Sequence, residues 1–593
     1  MTNLRKALFF ALFMGIMGIY LASCGKSDEI LDVTLEKSKV QTVTNATDDL
    51  TPTKVIDDFI LNTAKSNNDV FDWNDAPNKM LYSAIMWTDS IVSITYVAGN
   101  YDSVDDFFEA SATKNHYRSH NKLPNDWIAQ RNKIIDDILN LERKHQNKPE
   151  LSIADILPSG HDDVLPHIYL KITTPLVIKK LRDSKFIKHI EPRWYIPALV
   201  KDNPNYRDYG INNIGCYPDP AENPIPPEDF QDSELFTSLS GSKVSWNYRF
   251  NGITDAWQTP IASPGKSAGE GIGVCIIDSG VSNMQPNLNS EFNSGLSNGR
   301  TFIDRITTLQ IGTTVGDPAT GGGMGFTYMA PSFDECGHGT AMAGIVAGPL
   351  SGDGNAVGVA YKADLMTIRG THDVVITGNE IIGVRKAITT AADNDDINII
   401  SMSIAMPPTT SSGEITTAIK YAAIIKGKLI FAAAGTSFGF TTPGFGPVLF
   451  PANLSSNLTV AITGAKRANE WFSTGELIPD EIVTCNDCHD GSQVDFAIVM
   501  QSGVVNTTGP ITLPMTPNPS FPNRPKYTGG TSSATATAAG IAALVWAAHP
   551  NASKNEIFSR LILSAEQNSD IYIPTENHGF GVINAEYAIN AQF

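Results

Sequence analysis

The stretch that most constrains this chain is GGTSSATATAAGIAALV, residues 529–545. It is built mainly of alanine, glycine and other small residues, so a helix formed here has little side-chain bulk on its surface. Such a helix fits deep inside a larger body, where neighbouring backbones can approach it closely. A serine at its start, such as Ser532, lies among unpaired backbone N–H groups at the positive end of the helix dipole. The stretch therefore predicts a buried helix whose first turn can stabilise a negatively charged oxygen.

Ser and Thr are favoured helix caps, so this run alone is also compatible with an ordinary capped helix. Two further stretches favour a catalytic role. GVCIIDSGV, residues 273–281, predicts a buried strand that ends in Asp278, and CGHGTAMAGIVAG, residues 336–348, places His338 in a glycine-rich turn before a second small-residue helix. A carboxylate, an imidazole and a hydroxyl in such positions are the parts of a nucleophilic triad.

The three stretches, in the order Asp, His, Ser, resemble those of the subtilisin-like serine peptidases. Other segments extend the resemblance over about residues 245–593, notably INIISMSIA at 397–405 and GKLIFAAAG at 427–435. The resemblance implies that Ser532 is the nucleophile, His338 the general base and then acid, and Asp278 the buried carboxylate that orients the imidazole. Ser533 is the neighbouring alternative nucleophile, but the Gly-Thr-Ser-x-Ala-Thr register favours Ser532.

The resemblance also implies a cleft in which an extended substrate adds a strand to the sheet. The substrate-binding residues it predicts are Ser403, Ile404, Ala405 and Gly435. Relatives carry glycines where Ala405 and Met406 stand, so a narrower cleft is expected. Thr436 stands where relatives carry the asparagine that donates to the oxyanion, so we expect Thr436 to be part of the oxyanion hole of a slow enzyme.

Strand-like and helical runs alternate after residue 244, which predicts a doubly wound, mostly parallel α/β sheet, here preceded by a small α+β domain. The predicted division is a signal peptide over 1–23, a flexible tether over 24–54, an α+β propeptide-like domain over 55–196, a proline-rich linker over 197–243 and a subtilisin-like catalytic domain over 244–593.

The N-terminus predicts export and lipidation. Arg5 and Lys6 precede an apolar run that is too short for a comfortable membrane span, as in a signal peptide. The run ends in Leu-Ala-Ser-Cys, which resembles the lipobox of bacterial lipoproteins and implies lipid on Cys24. An ordinary secretory signal is the alternative. The expected location is the bacterial cell envelope, lipid-anchored at the outer membrane or cell surface.

The segment 55–196 holds enough apolar residues to fold. Residues 81–97 are β-rich, 123–146 carry a helical stripe, and 167–192 predict strand, helix, strand. The end of this segment resembles the second half of the inhibitory propeptide of the same peptidases. An unrelated small α+β domain is the alternative.

Five cysteines remain after Cys24. We expect Cys275 to be a small buried hydrophobe in its strand, and Cys336 is a weaker alternative nucleophile close to His338. Cys485-Asn-Asp-Cys488-His489 matches the haem-attachment pattern, but it lies in a polar insertion, 476–493, without an apolar shell for a macrocycle. A local disulfide or a loop thiol pair is the better interpretation.

The net charge of −19, with no cluster of Lys and Arg, argues against a nucleic-acid partner. No cofactor is predicted with certainty. The resemblance leaves structural calcium open, since relatives often bind it, but no acidic cluster here can be matched residue by residue to such a site. The expected protein is a monomeric serine endopeptidase acting on polypeptides. Two alternatives stay open, a weakly active or inactive peptide-binding lipoprotein and a peptidase that acts mainly on its own propeptide.

Overall fold

The apolar runs at Gly273–Asp278, Ile399–Met402 and Leu429–Ala433 lie side by side as parallel strands, as their composition predicts. The computed structural model describes residues 50–66, 71–112, 122–157, 162–193, 195, 197, 215–216, 237–239, 241–315, 324–377, 379–407, 410–436, 447–467, 480–501, 509–516, 525–568, 572–573 and 577–593. The predicted signal peptide, Cys24, most of the tether and most of the linker lie outside these residues.

The helices and strands are named here in chain order. The helices are α1 Thr53–Ser66, α2 Asn78–Met86, α3 Val104–Ala112, α4 Asn125–Gln146, α5 Ile153–Ile156, α6 Leu176–Arg182, α7 Asn247–Phe250, α8 Ile253–Ala256, α9 His338–Ala347, α10 Asn379–Asp393, α11 Gly413–Lys420, α12 Gly530–Ala548, α13 Lys554–Asn568 and α14 Ala585–Asn590. The strands are β1 Ile91–Tyr96, β2 His167–Lys171, β3 Ile187–Pro192, β4 Thr237–Leu239, β5 Ser242–Val244, β6 Gly273–Asp278, β7 Phe302–Thr307, β8 Gln310–Val315, β9 Met324–Met329, β10 Asp364–Arg369, β11 Ile399–Met402, β12 Leu429–Ala433, β13 Val460–Arg467, β14 Asp480–Thr484, β15 Phe496–Gln501, β16 Ile511–Thr512, β17 Lys526–Tyr527 and β18 Tyr572–Ile573. Short 3₁₀ turns lie at Trp73–Asp75, Pro286–Leu288 and Gly295–Ser297, and a π-helical turn at Tyr421–Ile425.

The main sheet runs in the order β18-β14-β13-β12-β11-β6-β10-β7, with β15 also paired to β13. Its pairs from β7 to β13, and the β13–β15 pair, are parallel, while β14 runs antiparallel to β13. Helices cover both faces: Val274 and Ile276 of β6 pack with α9 and α12, whereas Cys275 and Ile277 pack with α10 and α11. The predicted doubly wound, mostly parallel fold class is therefore confirmed.

Helix α12 forms from the small-residue run and is the centre of this core. Every residue from Thr531 to Ala548 is buried. A Cβ on Gly540 would lie 2.6 Å from Val359 Cβ, so this close approach requires glycine. Among the described helices, α12 alone has the length and composition of a membrane span, but 94% of that stretch is buried inside the protein.

The N-terminal part contains a three-stranded sheet of order β2-β1-β3, in which β1 is antiparallel to both neighbours. The predicted strand, helix, strand passage is present as β2, α6 and β3. The prediction of β structure throughout 81–97 is wrong, because residues up to Met86 belong to α2. Leu81, Ala84 and Ile85 have helical spacing and are buried together, which outweighs their aromatic and β-branched neighbours.

The N-terminal sheet packs against α11 through β1 and β3, and Ile91 and Tyr169 of this sheet cluster with Ile382 of α10. Both parts also contribute to one larger hydrophobic cluster. Glu191 at the end of β3 accepts a hydrogen bond from the Gly413 N–H at the start of α11, at 2.9 Å. At the other end of α11, Lys420 lies 2.6 Å from Asp105. The contact between the two parts therefore includes an ion pair and a hydrogen bond to a carboxylate as well as apolar packing.

Candidate active site

The carboxylate of Asp278 and the ring of His338 form a buried pair. Asp278 ends β6 and is 1% exposed, while His338 begins α9 after Gly337, whose φ of +86° favours glycine. His338 Nδ1 lies 2.9 Å from Asp278 Oδ1 and 3.0 Å from Oδ2. With Nδ1–H donated to the carboxylate, Nε2 is left as the hydrogen-bond acceptor of the ring.

Ser532 lies in the first turn of α12 and is anchored to the segment after β11. Its Oγ lies 3.4 Å from the Ser403 carbonyl oxygen, and the Ser403 hydroxyl donates to the Ser532 carbonyl at 2.9 Å. Strand β11 pairs with β6, with Ser401 opposite Ile276. Ser403 and Asp278 consequently lie at the same carboxyl edge of the sheet, where ligands bind in folds of this kind.

No hydrogen bond joins Ser532 to His338 in the described part of the chain. Catalytic hydrogen bonds are often loose in unliganded enzymes and tighten when substrate binds. The neighbouring Ser533 is fully buried, and its hydroxyl donates to the Gly530 carbonyl inside the helix at 3.0 Å. Of the two serines, Ser532 is therefore the one at the sheet edge.

Asp334, which lies outside the three sequence motifs, holds the histidine turn. Its Oδ1 accepts from Ser279 Oγ and from the N–H groups of Cys336 and Gly337, and its Oδ2 accepts from the N–H and hydroxyl of Thr340. Its position four residues before His338, in a glycine-rich loop, is the signal that could have indicated a turn-forming carboxylate.

Thr436 contacts the helix start beside Ser532. Its Oγ1 accepts a hydrogen bond from the Thr531 N–H at 3.0 Å and lies 3.1 Å from Thr531 Oγ1. The Gly435 N–H donates to Thr531 Oγ1 at 3.1 Å, and Gly435 has a φ of +124°. The segment 435–436 therefore borders the first turn of α12, although its role in an oxyanion hole stays a prediction.

Ala405, one of the predicted substrate-binding residues, is already hydrogen-bonded to another segment of this chain, and its role in substrate binding stays a prediction. The Ala405 N–H donates to the Val374 carbonyl at 3.0 Å, and the Ala405 carbonyl accepts from the Ile376 N–H at 2.8 Å. Because Ala405 already pairs with a neighbouring chain segment, a substrate strand can pair there only after these bonds break. The Ile404 side chain is buried in the core, so only the backbone of Ile404 is available to a substrate.

The cysteines pair in a way that removes one alternative. Cys336 forms a disulfide with Cys216, so it is not a free nucleophile. Cys485 bonds Cys488, which is the local disulfide of the two predicted alternatives. Cys275 is buried with a free thiol, and burial raises the pKa of this thiol above its ordinary value.

The Lys526 side chain lies 3.4 Å from the Gly337 carbonyl oxygen, next to the histidine turn, and burial lowers the pKa of Lys526 to about 8. In the described residues, no group of three or more His, Cys, Asp or Glu side chains could hold a metal ion.

A doubly wound sheet with a carboxylate, an imidazole and a hydroxyl at one edge is an arrangement used by serine hydrolases. A family model described as the subtilase family matches residues 269–582, more than half of the chain. The chain belongs to the subtilase family, which confirms the predicted resemblance and supports the predicted serine-type endopeptidase.

Two curated relatives give the scale of this similarity. Subtilisin of Bacillus sp. (strain TA39) is 29% identical over 308 residues, 51% of this chain and 63% of that protein. Thermitase of Thermoactinomyces vulgaris is 28% identical over 219 residues, 36% of this chain and 62% of that protein. The chain thus spans less than two thirds of either relative. Fervidolysin of Fervidobacterium pennivorans, a keratinolytic enzyme related to subtilisin, aligns with a TM-score of 0.49 at 16% identity, covering 85% of this chain and 61% of that one.

Proposed function

We propose that this chain is a serine endopeptidase that hydrolyses extended polypeptides through Ser532, His338 and Asp278. The observation that carries the proposal is the buried contact between His338 Nδ1 and both oxygens of Asp278, at the sheet edge where Ser403 holds Ser532. A carboxylate on Nδ1 fixes the tautomer that leaves Nε2 free to accept a proton.

In the proposed reaction, Ser532 Oγ turns away from Ser403 and attacks the carbonyl carbon of the substrate while His338 Nε2 takes its proton. The tetrahedral intermediate carries a negative oxygen, which the Ser532 N–H and Thr436 stabilise. The carbon–nitrogen bond then breaks, and His338 returns the proton to the leaving amine. Water attacks the resulting ester in the same way and releases the acid product with Ser532 restored.

A fluorophosphonate probe tests this proposal, because only an activated serine reacts with it. The parent protein and Ser533→Ala should be labelled, while Ser532→Ala should lose labelling together with any cleavage in the linker. Undiminished proteolysis by Ser532→Ala refutes the assignment.

Two observations favour a second candidate, a peptide-binding protein with weak activity. The cleft edge at Ala405 is already paired, and Ser532 is bonded to Ser403 instead of His338. The same probe separates the two functions: a folded parent protein that binds peptides but resists labelling supports the binding protein. Labelling with cleavage confined to its own chain supports a peptidase that acts mainly on itself.

We also propose that the N-terminal part, 55–196, is a folding template and inhibitor of the catalytic part. Its packing on α10 and α11 supports this role, since a large sheet with many non-local contacts folds slowly and gains from a preformed surface. A shortened chain that starts near residue 240 should yield little active enzyme unless residues 55–196 are supplied separately. Full spontaneous activity of the shortened chain contradicts the proposal.

Lipid attachment at Cys24, and with it a place in the bacterial cell envelope, completes the proposal. A lipidated chain should partition into the detergent phase of a Triton X-114 extraction when it is produced in a bacterial host. Cys24→Ser should move it to the aqueous phase. Equal partition of both proteins excludes the anchor.

A further inference from the structure

The segment Cys485–His489 lies directly behind the proposed oxyanion segment Gly435–Thr436. Thr436 forms an antiparallel bridge with Cys488, and the His489 N–H donates to the Gly435 carbonyl at 2.8 Å. A Cβ on Gly435 would lie 2.7 Å from His489 Nδ1, so the two chain segments are in close contact. Gly435–Thr436 is therefore held between Thr531 on one side and the Cys485–His489 segment on the other.

The two cysteines and His489 of the Cys485–His489 segment are buried and held in place, while Asn486 and Asp487 are exposed. The disulfide closes a short ring, the Cys485 N–H donates to the Gly464 carbonyl at 2.9 Å, and Cys485 and Cys488 are 5% and 1% exposed. A Cβ on Gly464 would lie 2.7 Å from Cys488 Sγ, so the ring is pressed against β13. Because Cys488 of this ring bridges Thr436, the position of the ring helps to set the position of the Thr436 backbone.

His489 is the second anchor. Its Nδ1 lies 2.8 Å from the Pro447 carbonyl, and its own carbonyl accepts from the Thr463 hydroxyl at 2.6 Å. Burial lowers the pKa of His489, so the neutral ring with Nδ1–H as donor fits this contact. The side chain ties the segment after residue 446 to the backbone that meets Gly435.

We propose that the Cys485–Cys488 disulfide and His489 are positioning elements of the oxyanion hole, and that reducing this disulfide lowers turnover without weakening substrate binding. The inference rests on the proposed peptidase function. Donors to an oxyanion act only when they are held in place before the reaction, and a displacement of about 1 Å costs on the order of a hundredfold in rate. The triad is fixed by other contacts, through Asp334 and Ser403.

The redox step is a simple exchange. A dithiol reductant transfers two electrons and two protons to the Cys485–Cys488 bond, which becomes two thiols while the reductant becomes a cyclic disulfide. The opened loop then loses the covalent restraint on the residue that bridges Thr436.

The test compares four variants of the full chain on one peptide substrate, with active sites titrated by the fluorophosphonate probe. Cys485→Ser combined with Cys488→Ser opens the ring, and His489→Ala removes the second anchor. His489→Asn keeps a donor near the position of Nδ1. Asp487→Ala is the matched control, since Asp487 is an exposed residue inside the same ring.

We expect kcat to fall about tenfold or more in the opened-ring variant and in His489→Ala, with KM within about twofold. His489→Asn should recover most of the loss, and Asp487→Ala should match the parent. A folded opened-ring variant with the kcat of the parent overturns the inference, as does a loss that appears in KM instead of kcat.

If the opened-ring variant does not fold, the parent protein provides the same test. Dithiothreitol is added to folded protein, and mass mapping after alkylation reports which thiols are free. Loss of kcat that follows the appearance of thiols at Cys485 and Cys488, while Cys216–Cys336 stays oxidised, supports the inference. Unchanged kcat with Cys485 and Cys488 both alkylated overturns it. A parent protein that the probe never labels refutes the peptidase function itself, which is a separate outcome.

Discussion

His338 Nδ1 lies almost equally far from the two carboxylate oxygens of Asp278, at 2.9 Å and 3.0 Å. Asp278 is thus aimed at one ring nitrogen with both oxygens and also accepts from the Ser279 N–H at 2.7 Å. Replacing Asp278 with Asn keeps the shape but presents an amide that can favour the opposite tautomer. We expect kcat of Asp278→Asn to fall about ten-thousandfold, as for the equivalent change in another serine peptidase triad. Steady-state kinetics check this, and a loss below tenfold would show that Asp278 does not orient His338.

Thr436 provides the second prediction. Its hydroxyl already accepts from the Thr531 N–H, so it lies at the helix start but has a shorter reach than an amide. We expect Thr436→Asn to raise kcat and Thr436→Ala to lower it. If the Thr436 hydroxyl donates fully to the oxyanion, its removal in Thr436→Ala should lower kcat by up to about a hundredfold. Thr436→Ser, which keeps the hydroxyl, is the control and should stay near the parent. Equal kcat in all four proteins would remove Thr436 from the oxyanion hole.

Glu191 provides the third prediction, on the contact between the two parts. Its Oε1 accepts from the Gly413 N–H, and its Oε2 lies 3.0 Å from His189 Nε2. Glu191 is itself buried, and Glu191→Ala leaves the part-buried start of α11 and the His189 ring without this partner. We therefore expect a loss of about 3 kcal/mol in the free energy of unfolding. The exposed pair Lys179–Asp183 is the control, because Asp183→Ala should cost below about 0.5 kcal/mol.

Both changes are made in the Ser532→Ala protein, so that self-cleavage does not affect the unfolding curves. Equal midpoints for Glu191→Ala and Asp183→Ala would show that the Glu191 contact does not stabilise the packing of the two parts.

The fourth prediction concerns pH. Burial opposes the charge on His189, but Glu191 and Asp72 outweigh it and raise the pKa of His189 to about 10. A raised pKa in the folded state means that the protonated ring stabilises the protein fully below the unfolded pKa of about 6.5. This contribution is lost as pH rises from there through about 10.

The measurement for this prediction is the difference in unfolding midpoint between His189→Gln and its parent, both carrying Ser532→Ala. We expect the difference to be largest near pH 6 and to shrink by pH 10. A difference that does not change over this range contradicts the raised pKa.

The sequence predicts the sheet and the places of Asp278, His338 and Ser532 because each lies where an apolar run meets a turn or a small-residue helix. These are local signals, each contained in one continuous stretch of the sequence. The partner of Cys336 is 120 residues away and the amide of Ala405 is bonded to residues about 30 positions earlier, so neither contact leaves a local pattern.

Two further elements, one of them in the N-terminal part, also depend on contacts that a local sequence pattern does not show. Residues 81–86 have β-branched and aromatic neighbours, yet they form the end of α2 because their apolar side chains meet on one helix face. Strand β14, inside the predicted polar insertion, forms because β13 offers it an edge. Both outcomes are set by packing partners that lie elsewhere in the chain.

Because of the Cys216–Cys336 disulfide, cleavage on one side of Cys216 gives different covalent products from cleavage on the other side. A cut before Cys216 leaves everything upstream without a covalent link to the rest of the chain, so denaturing electrophoresis shows a separate fragment with or without reductant. A cut between Cys216 and Cys336 leaves two fragments on one covalent framework, which separate only when the disulfide is reduced. Electrophoresis with and without reductant therefore tells on which side of Cys216 the chain is opened, and whether the N-terminal part can leave the catalytic part by diffusion alone.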